Sequence, residues 1–173
     1  MDIYRQAAQQ DMSYLTKGHS GYMLIFSAHF DRDKGIDCGR LLLEHIDRGH
    51  QEIWIALSSH LRGQQREGFH AKGGMLPPAY RVPRLHQWSV NTNPIDLSHI
   101  KGVSGNFYKI SPYEVVTDKN GNRGDFGIHL DGNVPGSAGC IVMGATRFRH
   151  FENTMTRLRE ERVRKLPLIV AYS

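Results

Sequence analysis

Glycine placement constrains this chain more than any other feature. The 173 residues include 18 glycines, gathered in turn-like clusters at Lys72-Gly73-Gly74, Asn120-Gly121-Asn122 and from Gly136 to Gly139. Glycine adopts backbone conformations that other residues avoid and weakens the interior of a helix. Clusters of it between short apolar runs therefore mark turns between strands. The expected class is β-rich, mainly β or α+β. Strand candidates are residues 22–26, 80–82, 107–110, 114–117, 125–130 and 168–172. Residues 40–46 and 52–57 flank Asp47-Arg48-Gly49-His50 as the arms of a hairpin. The first arm, with Leu41, Leu42, Leu43 and Ile46, equally suits a short helix. Within 125–130, alternation sends Phe126 and Ile128 one way and His129 the other.

One helix is expected, over residues 147–165. Phe148, Phe151, Met155 and Leu158 recur at spacings of three and four and form a single apolar stripe. Arg147, Arg149, Arg157, Arg159, Glu160 and Arg164 cover the rest of its surface, either as a solvated face or as a polyanion-binding one. Pro167 is expected to stop it, because its ring does not fit a helix interior. Hydrophobic residues make up 39% and charged residues 23% of the chain, enough apolar content for one folded domain over residues 1–173.

Lys and Arg outnumber Asp and Glu by 22 to 17, a formal charge of +5 with a pI of about 9.4. Such a surface is drawn to polyanions such as cell-wall polymers, nucleic acid or membranes. The apolar stretch at residues 19–30, which lacks Asp, Glu, Lys and Arg, is too short to cross a bilayer, which takes roughly 20 apolar residues. It also sits too late, behind Asp2 and Asp11, for a signal peptide. The expectation is a chain made in the cytoplasm without a signal peptide and without membrane insertion. Two cysteines, Cys38 and Cys140, do not make a disulfide framework. Ten histidines invite a metal reading, with His60 and His70 flanking one loop. No i, i+4 histidine pair and no Cys-x-x-Cys supports it, so no metal and no cofactor is expected.

The chemistry is concentrated in residues 127–144, GIHLDGNVPGSAGCIVMG. A histidine at a strand end is followed, eleven positions later, by a cysteine behind Ser137-Ala138-Gly139. A cysteine attacks as its thiolate, so it needs a base or cation nearby. His129 is close enough in sequence for a loop to return its imidazole to the sulfur. Gly139 removes side-chain bulk beside Cys140, and backbone N–H groups there could face an oxyanion. Asp131 could orient or charge His129, or simply cap a turn. Arg123 could meet a substrate carboxylate or be a surface arginine. Tyr108 and Tyr113 could face substrate or pack in the core. Cys38 lacks a comparable frame and reads as structural.

These residues resemble the active-site motif of the L,D-transpeptidase catalytic (YkuD-type) family, cysteine enzymes of bacterial peptidoglycan. The family pattern is a histidine on a strand, a loop, then Ser-His-Gly-Cys and an apolar residue. Here these positions are His129, Ser137, Ala138, Gly139, Cys140 and Ile141. Upstream, Gly73-Gly74-Met75-Leu76-Pro77-Pro78-Ala79-Tyr80 resembles the family's Gly-Pro-x-Gly-x-Tyr segment, and Ser58-Ser59 stands where Ser-Thr-Gly is common. The likeness spans about residues 50–172. Ala138 replaces the usual histidine, Val142 stands where many members carry arginine or asparagine, and the loop after His129 is short. Those features are similar to phage-borne and secreted-effector branches.

The resemblance implies an L,D-transpeptidase-like β-sandwich with a C-terminal helix. It also implies an acyltransferase or hydrolase (L,D-transpeptidase or L,D-carboxypeptidase) acting on peptidoglycan stem peptides. Cys140 would attack the diaminopimelate carbonyl, forming a thioester and releasing D-alanine. His129 would act as base and then acid, Ser137 would orient His129 through its main chain, and the N–H groups of Gly139 and Cys140 would hold the oxyanion. Arg123 and Asp131 are the substrate-side candidates. Action at the cell wall or periplasm, after release by a phage or delivery by a secretion system, follows from the same resemblance. Two other classes stay open: a non-catalytic virion or cell-wall-binding module that keeps the fold, and a cysteine peptidase acting on a protein.

Overall fold

A computed structural model describes residues 20–31, 35–36, 39–58, 69, 74–117, 121–132 and 137–173. Among these residues, thirteen strands run in chain order: β1 (Tyr22–Ala28), β2 (Phe30–Asp31), β3 (Gly35–Ile36), β4 (Gly39–His45), β5 (Gly49–Ser58), β6 (Trp88–Asn91), β7 (Ile95–Asp96), β8 (Asn106–Ser111), β9 (Glu114–Val116), β10 (Asn122–Gly124), β11 (Gly127–Leu130), β12 (Ile141–Met143) and β13 (Lys165–Tyr172). One α-helix, α1 (Ala145–Glu160), precedes the last strand among the described residues. No helix among them is long and apolar enough to cross a membrane. The protein is β-rich with a single C-terminal helix, as its glycine pattern and its one apolar stripe predict.

The alternation of side chains explains the strands. Along β1, buried Tyr22, Leu24, Phe26 and Ala28 alternate with half-buried Met23, Ile25 and Ser27, the period of a strand with one face in the core. β4 repeats the pattern with Leu41, Leu43 and His45, so the leucine run is a strand and not the helix it also suits. β4 and β5 form an antiparallel hairpin that pairs Leu41 with Trp54 and Arg40 with Ile55. Its turn closes at Gly49, where φ is +69°, a conformation that favours glycine.

Nine strands share one mixed sheet in the order β11-β12-β5-β4-β1-β13-β6-β8-β7, and an additional pairing of β8 with β11 closes it on itself. β1 runs parallel to β13, and β11 runs parallel to β12. The inward face carries the core cluster, including Leu24, Phe26, Leu41, Trp54, Trp88, Tyr108, Ile128, Ile141 and Leu168. α1 packs on this inner side with Phe148, Phe151, Met155 and Leu158 buried. The Phe151 ring meets Trp54 of β5 and Tyr108 of β8 edge-on, at centroid distances of 5.3 and 5.1 Å.

Three local expectations differ from the structure. Residues 80–82 do not form a strand. Ala79–Arg81 is a 3-10 turn, with the Arg81 N–H donating to Pro78 O and the Val82 N–H to Ala79 O. Two prolines in a row before it withhold the N–H groups that a ladder needs. The helix spans Ala145–Glu160 rather than 147–165, and Pro167 is not what stops it. Arg162 turns left-handed at φ +64°. The Val163 N–H then donates to Leu158 O, and the Arg162 N–H to Arg159 O. This is a Schellman termination with arginine where glycine is usual. Pro167 lies within β13, opposite Ser89. Finally, residues 125 and 126 precede β11 rather than belonging to it.

Candidate active site

The parallel pairing of β11 with β12 aligns Ile128 with Ile141 and His129 with Val142. Continuing that register back by one residue puts Cys140 beside Gly127, and the Gly127 N–H is directed at the sulfur. Successive side chains alternate across a sheet. Ile128 and Ile141 enter the core, so His129, Cys140 and Val142 share the opposite face. On the other side of β11, antiparallel β8 pairs Phe107 with His129 and Lys109 with Gly127, which adds both residues to that face. The Phe107 ring stacks on the His129 imidazole, with centroids 5.8 Å apart and 25° between planes. It also occupies the space over Gly127, where any Cβ would collide with it. Glycine at 127 is what lets the aromatic ring lie there and buttress the imidazole.

His129 is only 6% exposed. Its Nδ1 lies 2.7 Å from Leu130 O, so Nδ1 carries the proton and donates, leaving Nε2 as the acceptor. Burial pushes the imidazole pKa down, while the Leu130 hydrogen bond and the Asp131 charge pull it up. At neutral pH the ring is a neutral base. The Cys140 thiol donates to Asp125 O at 3.4 Å. Burial pushes its pKa up to about 11, against the opposing pull of the Gly127 N–H and the Arg123 guanidinium. The resting pair is a thiol and a neutral imidazole, not a thiolate–imidazolium pair. Nucleophilic attack from this state requires the thiol to lose its proton as the new bond forms.

A buried frame holds the nucleophile loop. Ser137 Oγ donates to Cys140 O. Ser58 Oγ accepts from the Leu76 N–H at 2.9 Å and donates to Gly139 O at 3.4 Å. Gly139 has φ +108°, and a Cβ there would lie 2.5 Å from Arg123 Nη2. Arg123 is 5% exposed. Its Nη1 donates to Phe69 O at 2.7 Å and to Met75 O at 2.8 Å. Its Nη2 donates to Gly74 O at 2.5 Å and to Ala138 O at 3.4 Å. Both readings of Arg123 made from the sequence are therefore corrected. It is neither a surface residue nor a partner for a substrate carboxylate, because four backbone carbonyls occupy its terminal nitrogens. It ties the loop at 74–75 to the residue two before the nucleophile.

Hydrogen bonds and close packing thus gather Ser137, Gly139, Cys140 and Arg123 around residues 137–140, and His129 lies on the adjacent strand, on the face that Cys140 shares. The carbonyl on His129 is that of Leu130, so the orienting role implied for the Ser137 main chain falls to the next residue on the strand. Asp131 donates its N–H to Met143 O, continuing the β11–β12 ladder, and its charge acts on His129. Tyr108 is a core residue against Phe148 and Phe151. Tyr113 is 40% exposed and lies near Cys140, with its hydroxyl bonded to the Asp125 carboxylate. Ser58, noted in the sequence as part of Ser58-Ser59, belongs to the site, as do Phe107, Lys109 and Asp125, which were not singled out from the sequence. For Phe107 and Lys109 a signal existed: alternation along 107–110 puts them on the face opposite Tyr108 and Ile110. Asp125 adopts φ +59°, which aims its carbonyl at the thiol, and no pattern announces that.

Cys38, His60 and His70 lie outside the described residues. Among the described residues, no group of three or more His, Cys, Asp or Glu side chains is placed to hold a metal ion. The chain matches no protein-family model, no curated protein and no solved structure.

Proposed function

We propose that the protein is a cysteine-dependent acyl-transfer enzyme acting on peptidoglycan stem peptides, as an L,D-transpeptidase or L,D-carboxypeptidase. The observation that carries this reading is the placement of Cys140 and His129 on one face of two adjacent parallel strands, with Nε2 unprotonated and Nδ1 anchored. In the proposed reaction, sulfur attacks the L-centre carbonyl of diaminopimelate while Nε2 takes the thiol proton. His129 returns that proton to the departing amine of D-alanine. The thioester on Cys140 is then resolved by an amine, giving a cross-link, or by water, giving a trimmed stem. The motif from His129 to Ile141 supplies the substrate class; the neutral ground state of both groups supplies the order of proton transfer. On this reading the site of action is the cell wall.

One observation favours a second reading, a wall-binding module without catalysis. The thiol is held on Asp125 O with a raised pKa, as for a packed cysteine. Mass spectrometry of tetrapeptide-bearing muropeptides separates the two. The acyl-transfer reading expects wild type to release D-alanine, and Cys140→Ala and His129→Ala to lose at least about a thousandfold in rate while keeping the wild-type circular dichroism spectrum. Muropeptide binding without conversion by the wild type establishes the second reading.

A further inference from the structure

The face that carries the nucleophile also carries an ammonium group. Lys109, Gly127 and Cys140 form one row across β8, β11 and β12, with the two side chains flanking a residue that has none. Two strand spacings separate the outer Cα atoms, about 10 Å. Between them the Phe107 ring forms a low floor over Gly127. The thiol and the lysine thus stand on one face of the sheet, on either side of the position that Phe107 covers.

Lys109 rests on an aromatic ring and forms no ion pair among the described residues. Its Nζ sits 3.9 Å from the centroid of the Tyr113 ring. A cation on a π face keeps N–H groups available to an anion. The carboxylate nearby, that of Asp125, is engaged by the Tyr113 hydroxyl. Asp125 also accepts the thiol proton through its carbonyl. Tyr113 and Asp125 thereby link the position of the ammonium to the position of the nucleophile.

We propose that Lys109 is the carboxylate-binding residue of this site and selects peptides with a free carboxylate close to the carbonyl under attack. The proposal rests on the acyl-transfer reading for its substrate. Stem peptides offer two such carboxylates: that of the leaving D-residue, next to the scissile bond, and that of the diaminopimelate side chain, several bonds further out.

Alkylation of Cys140 tests the carboxylate site without peptidoglycan. Rates are measured at low ionic strength for two charged and neutral pairs: iodoacetate with iodoacetamide, and 3-maleimidopropionate with N-ethylmaleimide. In wild type the charged member of at least one pair is favoured. Lys109→Met lowers that charged-to-neutral rate ratio by about fivefold or more, and Lys109→Arg restores it. A larger effect with iodoacetate points to the carboxylate beside the scissile bond. A larger effect with the longer maleimide points to the side-chain carboxylate. Ratios unchanged in Lys109→Met, with the fold intact, overturn the proposal. A Lys109-dependent ratio in a protein that converts no muropeptide leaves the carboxylate site standing and removes the peptidoglycan reading.

Discussion

Arg123 shows how much of this site is held by one buried residue. Arginine is almost never fully buried unless its donors find partners, and here Nη1 and Nη2 find the backbone carbonyls of Phe69, Gly74, Met75 and Ala138, while the buried Nε has none among the described residues. Arg123→Met removes the donors and leaves those acceptors unpaired, at a cost of about 3 kcal/mol or more of stability. Urea unfolding of the variant checks this, as a lowered midpoint at unchanged slope. A midpoint equal to wild type would mean that the carbonyls find other donors. The sequence conceals this role because an arginine between two turn glycines looks like a surface residue, and its acceptors come from segments about 50 positions upstream and 15 downstream. The roles proposed for Cys140 and His129 rest on the opposite kind of signal. Their chemistry is carried by residue type and a short spacing, which survive reading in one dimension.

At the scale of elements, β11 delivers a buried neutral imidazole, and this fixes a pH dependence. The folded-state pKa of His129 lies below its ordinary value of 6.5. Below pH 6.5 the unfolded chain therefore binds a proton that the folded protein does not, and stability falls with decreasing pH. Above that value both states are neutral at this site and His129 contributes no slope. Denaturant midpoints measured from pH 8 to pH 5 check this, with His129→Gln flattening the contribution. On the proposed acyl-transfer reading, the same protonation places the acid limb of kcat/KM below pH 6.5. The thiol, pushed up to about 11, produces no second limb near neutrality.

The helix carries a separate test. Its apolar stripe was legible because four large side chains recur at helical spacing. Its end was not, because a left-handed arginine leaves no mark in the sequence. Arg162→Gly relieves φ +64° and should stabilise the protein by about 0.5–1 kcal/mol, read as a raised thermal midpoint. A lowered midpoint would show that the Arg162 side chain makes a contribution larger than the backbone strain.

For the whole molecule, the closed sheet is what makes the site. β8 and β11 come together only because the order of nine strands turns back on itself. That pairing brings Phe107 and Lys109 to the face of His129 and Cys140. The glycine clusters and the alternating runs made the β-rich class legible. The closure was not, because it depends on pairing between strands far apart in the chain, such as β5 with β12, and no local pattern encodes a partner. On the proposed acyl-transfer reading, Cys140 carries the acyl group of a stem peptide during turnover. Rapid acid quenching of wild type during turnover of a tetrapeptide stem, followed by mass spectrometry of the digested protein, tests it most directly. The account predicts an adduct equal in mass to the stem minus D-alanine, attached to the peptide containing Cys140 and absent from Cys140→Ala. D-alanine released at the same rate by Cys140→Ala would contradict it.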